Sequence, residues 1–299
     1  MGDAHDGPPA VGVVVPVFRG RRFLRDTLEG VRAQAPDIPR AVIVVEDGTP
    51  PGEDARDIVA AYPEVRYERL SENRGVFFAR WYGAHALASV RYLAFLDQDD
   101  VWRPDFLART VRALEADEQA VMAVTNAEMR TEHGAYRLYR VGRPSVTLDA
   151  LKWVNTIIAP GQVLLRYDAW REARIAPDLS APGADDWLMW LAVLARGGRG
   201  LYIPDVLVDY REHAGGAHNR VDMTRSERAV VRLWFPRLGL GPWDQRCYEG
   251  RVALDALRRA RYRKSLPSLL EGLWGAIRDP AAFMAAWKER RRRRRHGFV

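Results

Sequence analysis

The sequence predicts an α/β protein in which helices flank a mostly parallel sheet and a helical C-terminal extension follows. Three observations predict it. Short apolar runs at residues 11–16, 41–45 and 92–96 are unbroken by polar residues, as strands buried on both faces must be. Stretches with helical apolar spacing separate them, which is the alternation of βαβ units. Two of the runs end in carboxylates, Glu46-Asp47 and Asp97-Gln98-Asp99-Asp100, at the strand ends where α/β sheets place their ligands.

Each element has its own signal. After the strand at 11–16, the spacing of Phe23, Leu24, Leu28 and Val31 predicts a helix that stops near Pro36. Residues 41–45 form the second strand, Ile58, Val59 and Tyr62 suggest a helix, and 65–70 form a third strand. The polar loop 71–75 leads into a helix over 76–87, then the strand at 92–96. Pro104 suits a first helical turn, with Leu107, Val111 and Leu114 continuing at helical spacing. Residues 120–125 read as a fifth strand, His133-Gly134 as a turn in a hairpin or insertion, and 161–165 as a further strand. Asp185-Asp186 opens a long apolar helix that Gly197-Gly198 stops, and 206–213 alternates as a strand ending at His213. Beyond residue 220 the chain reads as helical. Leu266, Leu269, Leu270, Leu273 and Ile277 share one apolar face there, with Trp274, Phe283 and Trp287 adding aromatics. The expected division is a disordered N-terminus at 1–10, a catalytic domain at 11–215, a helical extension at 216–287 and a polybasic tail at 288–299.

Composition excludes several classes. Apolar content is ordinary for a globular protein, and no run approaches the length of a membrane span. The acidic, Pro/Gly-rich start has no signal-peptide core, and the single cysteine, Cys247, rules out an intrachain disulfide, so a cytoplasmic protein is expected. The net charge is +7, but +6 of it falls in residues 288–299, where Lys288 and six arginines face only Glu289. The basic excess is therefore a tail and not a face, and no aromatic-basic or zinc-finger signature accompanies it. No nucleic-acid partner is expected.

The acids carry the chemistry. Three carboxylates within four residues at 97–100 repel one another, and a hard divalent cation such as Mg²⁺ or Mn²⁺ would offset that while bridging to phosphate oxygens. A solvated acidic turn is the plainer alternative. Right-handed crossovers bring successive strand ends to one edge of the sheet, so the acids at 46–47 and 97–100 line one crevice. For Asp185 and Asp186 the plain reading is favourable charge in a first helical turn, which needs only one of them.

Six motifs in order resemble the family 2 glycosyltransferases with the GT-A (Rossmann-like) fold: Val-Val-Pro16-Val-Phe18, Glu46-Asp47-Gly48, Asn73-Arg-Gly75 with Ala79-Arg80, Asp97-Gln98-Asp99-Asp100, Asp185-Asp186-Trp187 and Tyr210-Arg-Glu-His213. The resemblance spans roughly residues 11–215. It implies a nucleotide-diphosphate sugar donor, a divalent metal (Mn²⁺ or Mg²⁺) and transfer with inversion at the anomeric carbon. Pro16, Phe18, Glu46, Asp47, Asn73, Gly75, Arg80, Asp97 and Gln98 are the implied nucleotide and donor contacts, Glu46 and Asp47 towards the base and Asp97 towards the ribose. Asp99 and His213 are the implied metal or diphosphate ligands. Asp186 is the implied base, with Asp185 beside it in the same late acidic motif. A UDP- or dTDP-sugar is favoured over a GDP-sugar, and the acceptor is a glycan, a lipid-linked saccharide or a small molecule. Two positions depart from the family pattern: Arg19 and Trp81 stand where asparagine is usual.

The chemistry needs two acidic stations, one to hold a metal on the leaving diphosphate and one to take the proton of the attacking hydroxyl. A glycoside hydrolase would have no use for the first. A nucleotidyltransferase lacks a use for Asp185-Asp186, an oxidoreductase would show G-x-G-x-x-G after a strand, and a silent sugar-nucleotide binder would not need both stations. The C-terminal helices leave two readings: they close over the catalytic domain or pair in a homodimer, or their aromatics and arginines form a segment that sits on an anionic membrane surface.

Overall fold

A computed structural model describes residues 10–139, 145–176, 183–213, 215–216 and 222–295. Most of the expected disordered N-terminus, and the last four residues of the expected tail, lie outside the described residues.

Four strands form the parallel half of the sheet: β1 (Val11–Val17), β2 (Arg40–Glu46), β3 (Val65–Arg69) and β4 (Tyr92–Phe95), in the order β3-β2-β1-β4. The chain winds outward from β1 to β3, then returns to lay β4 on the other side of β1. That reversal opens a crevice beyond the carboxyl ends of β1 and β4, where open α/β sheets bind ligands.

The second half is mixed. β5 (Val101–Trp102), β6 (Ala120–Thr131), β7 (Gly134–Arg137), β8 (Val163–Arg166) and β9 (Arg199–Arg211) extend the order to β4-β8-β6-β9-β5, and β7 folds back on β6 as a hairpin. β8 runs antiparallel to β4 and β6, and β5 antiparallel to β9. Among the described residues the sheet has nine strands. The sequence expectation of a mostly parallel sheet holds for the half that carries β1 to β4.

Alternation along the strands sorts the core into two layers. Val14, Ile43, Val45, Leu93 and Phe95 face α3 (Val76–Ala86) and the apolar α7 (Asp185–Leu194). Val13, Val15, Val42, Val44 and Ala94 face α1 (Arg21–Arg32) and α4 (Phe106–Glu115). Short helices α2 (Arg56–Val59), α5 (Leu148–Leu151) and α6 (Tyr167–Glu172) complete the layers.

The C-terminal part is helical: α8 (Met223–Trp234), α9 (Pro242–Arg263), α10 (Leu266–Arg278) and α11 (Pro280–Arg295). Trp187 stacks with Tyr248 of α9 and meets Phe235 after α8 edge-on, so this part closes over α7. The arginine run is not loose chain as far as Arg295; it continues α11. α10 leaves much of its apolar face in solvent, with Leu266 64%, Leu270 58%, Trp274 66% and Ile277 71% exposed.

Candidate active site

The site grows from four places that the fold brings to one edge. The first is the turn after β1. Phe18 is partly exposed, and its backbone is clamped from both sides by the Gln98 side chain: the Phe18 N–H donates to Oε1 at 2.9 Å and the amide donates back to the Phe18 carbonyl at 3.3 Å. Pro16 lies buried in β1. Arg19, next in the chain, has φ of 51°, the left-handed region in which asparagine is several-fold enriched among non-glycine residues. Its side chain turns out to Glu53, at 3.2 Å.

The second place is the end of β2. Glu46 has no exposed surface; it accepts hydrogen bonds from the Thr49 hydroxyl and, at 2.9 Å, from the Ala55 N–H, so both oxygens serve the loop that follows. Asp47, nearly as buried, accepts from the Arg74 and Gly75 N–H groups at 2.8 Å each, and its carbonyl accepts from the Asn73 side chain. It thereby fixes the entry to α3. Gly48, at φ 64°, permits this approach, because a Cβ there would lie 2.2 Å from the Asn73 nitrogen.

The third place is the acidic turn after β4, and here Arg80 is central. Its side chain is only 5% exposed and joins Asp97 on one side to Asp185 Oδ2, at 2.6 Å, on the other. Burial opposes its charge, yet Asp97 and Asp185 hold it above the usual arginine value. Asp99 Oδ2 lies 2.8 Å from His213 Nε2. Burial, then repulsion from Asp97, raises the Asp99 carboxyl against the pull of His213. Asp100 is buried and accepts from the Arg211 N–H at 3.2 Å, tying the turn to the end of β9; burial and the charges of Asp99 and Asp97 push it well above the carboxylate range.

The fourth place is the start of α7. Asp185 is buried on Arg80, whereas Asp186 is half-buried, accepting from the Trp187 N–H at 2.6 Å and from the Asn155 amide at 3.3 Å. Burial and the neighbouring Asp185 push Asp186 up to about 7, with Arg80 holding it back. Burial raises the Tyr210 phenol first, and Asp100, Asp97, Asp99 and Asp186 raise it further. Arg80, bonded to Asp97 of the turn and Asp185 of α7, is the contact that joins these two stations in one site.

Residues 12–173 match the family described as glycosyl transferase family 2. The chain belongs to glycosyltransferase family 2. This family member is 29% identical over 234 residues to TuaG of Bacillus subtilis (strain 168), named for teichuronic acid biosynthesis, covering 76% of this chain and 86% of TuaG. It is 35% identical over 161 residues to the succinoglycan biosynthesis protein ExoO of Rhizobium meliloti (strain 1021), covering 52% of this chain and 45% of ExoO. Among solved structures, S. aureus TarS in complex with UDP-GlcNAc superposes with a TM-score of 0.65 at 15% identity, covering 89% of this chain and 79% of that one. GalNAc-T7 with UDP, GalNAc and Mn²⁺ gives 0.59 at 15%, covering 82% and 51%. At such identities the structural likeness shows the fold, and that fold is GT-A.

Within this glycosyltransferase, the sequence motifs did not reveal three roles. Arg80 is committed to two carboxylates, which its place on a helix gave no means of reading. Tyr210 lay in a quoted motif without a task; its alternation with Val208 along β9 was the available signal. Asn155, which bonds Asp186, stands in an irregular segment with no pattern at all. Trp81, one of the two departures, packs against Phe78 and His85, with ring centroids 5.8 and 4.1 Å away.

Proposed function

We propose that this glycosyltransferase moves a sugar from a nucleotide-diphosphate donor to an acceptor hydroxyl with inversion, using Asp186 as the base and a divalent cation at Asp99 and His213. The observation that supports it most is the Arg80 bridge between Asp97 of the 97–100 turn and Asp185 of α7, beside which burial and Asp185 push Asp186 up to about 7. A base works best when its pKa lies near the working pH, and proton removal of this kind contributes typically ~10²–10⁴-fold.

The donor set fits a divalent cation. Asp99 Oδ2 and His213 Nε2 lie 2.8 Å apart, close enough for one divalent cation to take both an oxygen and a nitrogen ligand there. Among the described residues no group of three His, Cys, Asp or Glu side chains gathers to hold a metal. The protein would thus supply two ligands, leaving the rest to diphosphate oxygens and water. When bound, such an ion stabilises negative charge on the departing diphosphate. Arg80 holds both Asp97 and Asp185 in ion pairs, so that Asp186 is the acid left to face the acceptor. Phe18, Gln98 and the 73–75 loop held by Asp47 frame the donor end, with Glu46 supporting that wall from beneath. A UDP- or dTDP-sugar is the donor we favour; TarS and GalNAc-T7 were solved with UDP or UDP-GlcNAc.

No helix among the described residues is long and apolar enough to cross a membrane. The exposed apolar face of α10, a helix that ends in Arg278, supports a peripheral contact with an anionic membrane surface. A thermal-shift screen tests the donor reading. UDP with Mn²⁺ should raise the melting temperature by about 5 °C or more at saturating ligand, and Asp99→Ala should lose the Mn²⁺-dependent part. No shift with any nucleoside diphosphate, with or without metal, would sink it.

A further inference from the structure

A second cavity, of about 460 Å³, lies between the β6–β7 hairpin, the 153–158 segment, α9 and α11. It adjoins the site through one residue: Asn155 lines the cavity and donates its amide to Asp186 Oδ2. The hairpin carries Tyr136, 44% exposed, and leads to Tyr139, and Trp153 lines the cavity as well. Flat, amphipathic rings of this kind suit the apolar faces and hydroxyls of sugars.

Its charge is unbalanced. Arg137, Arg251, Arg290 and Arg293 line it against Asp255 and Glu289, with Glu227 pairing Arg251 from outside the lining, a surplus of one positive charge. The internal pairs do not use every donor: Arg293 bonds Glu289 and the Ala150 carbonyl, and Arg251 bonds Glu227 and Asp255. Among the described residues, Arg293 Nη1 and Arg251 Nε are buried without a hydrogen-bond partner. Burial, and beyond it the charges of Arg292 and Arg251, hold Arg293 below the usual arginine value despite Glu289. Guanidinium groups crowded like this answer to carboxylate or phosphate, whose paired oxygens match their fork.

We infer that this cavity receives the acceptor, and that the acceptor is an anionic saccharide, bearing carboxylate or phosphate, whose ring rests on the tyrosines while its charge meets the arginines. The inference rests on the transferase reading and adds the acceptor class to it. The hydroxyl to be glycosylated would then point past Asn155 towards Asp186. The arginine run of α11 becomes part of the acceptor wall.

Binding calorimetry with three probes of similar length tests it: an oligogalacturonate, a glycerol-phosphate oligomer and a neutral maltooligosaccharide, with UDP binding measured in parallel. At least one anionic probe should bind about tenfold more tightly than the neutral one, and the margin should shrink in high salt. Whichever anionic probe wins identifies carboxylate or phosphate as the source of the charge. Arg137→Gln and Tyr136→Ala, both at exposed positions, should each weaken the anionic probe while melting like the parent protein. UDP binding without any preference for charge, or a preference that both variants leave untouched, overturns this inference alone. Failure to bind any nucleotide overturns the reading beneath it as well.

Discussion

Asp186 is caught between burial, which favours its protonated form, and Arg80, which favours its charge. The balance near 7 has two consequences with opposite signs. As a base it must be ionised, so kcat/KM should rise with pH through about 7 and level off above it. As a raised acid it holds a proton in the folded state that the unfolded chain releases near pH 4, so its contribution to stability falls as pH rises from about 4 to about 7. Asp186→Asn should therefore lose about 100-fold or more in turnover while binding donor normally, and should melt higher than the parent at pH 8, with the difference narrowing at pH 5. Near-normal transfer by that variant would remove Asp186 from the role of base. At this scale the acidic stations were legible because carboxylates after an apolar run are conspicuous. Which way each one points was less so. Glu46 shares parity with Val42 and Val44, whose side chains lie in the α1 layer of the core, and it is turned to that side with them. Asp97 and Asp185 gave no sign that one buried guanidinium would hold both.

Among the elements, α3 lies tightly against the sheet. It crosses β1 at Gly83, where an added Cβ would lie 2.4 Å from Val14 Cγ1 and 3.1 Å from Val45 Cγ2. Because α3 carries Arg80 and begins at the loop that Asp47 holds, its distance from the sheet sets the spacing of the site. Gly83→Ala should cost about 1–3 kcal/mol by overpacking and should weaken turnover too, since Arg80 would lift away from Asp97; chemical denaturation together with steady-state kinetics checks both. The elements themselves were largely readable, because apolar runs and helical spacing are local signals. Strand direction was not. The run at 163–165 is as apolar as that at 93–95, yet β8 is antiparallel to β4. Nothing in a run of Val and Leu tells which way it will be laid. β9 also extends well before the alternating stretch, since its first half is paired to β6 through register shifts near Asn126. Such a bulge depends on the partner strand, and so does its signature.

Over the whole molecule, charge and grease are segregated. The sequence placed the basic excess at the C-terminus correctly, but not its form: α11 draws Arg290 and Arg293 against the body, to 21% and 12% side-chain exposure, and leaves Arg292 largely outside. The apolar face of α10 then stands as the broad unsatisfied surface beside them. Vesicles rich in phosphatidylglycerol should sediment the protein and neutral vesicles should not, and Leu270→Glu with Ile277→Glu should abolish the effect without changing the melting temperature by more than a degree or so. If the same substitutions instead dissociate a dimer in light scattering, the face belongs to a second copy.

The pairing of Asp99 with His213 spans 114 residues of chain. A ribosome adding about 5–20 residues per second needs on the order of ten seconds to travel between them. During that interval β1 to β4 have already been made, while His213, the partner of Asp99, has not. The Asp99–His213 contact is therefore a late event in building the site, since it forms only after β6, β8, α7 and β9 have been added to the chain.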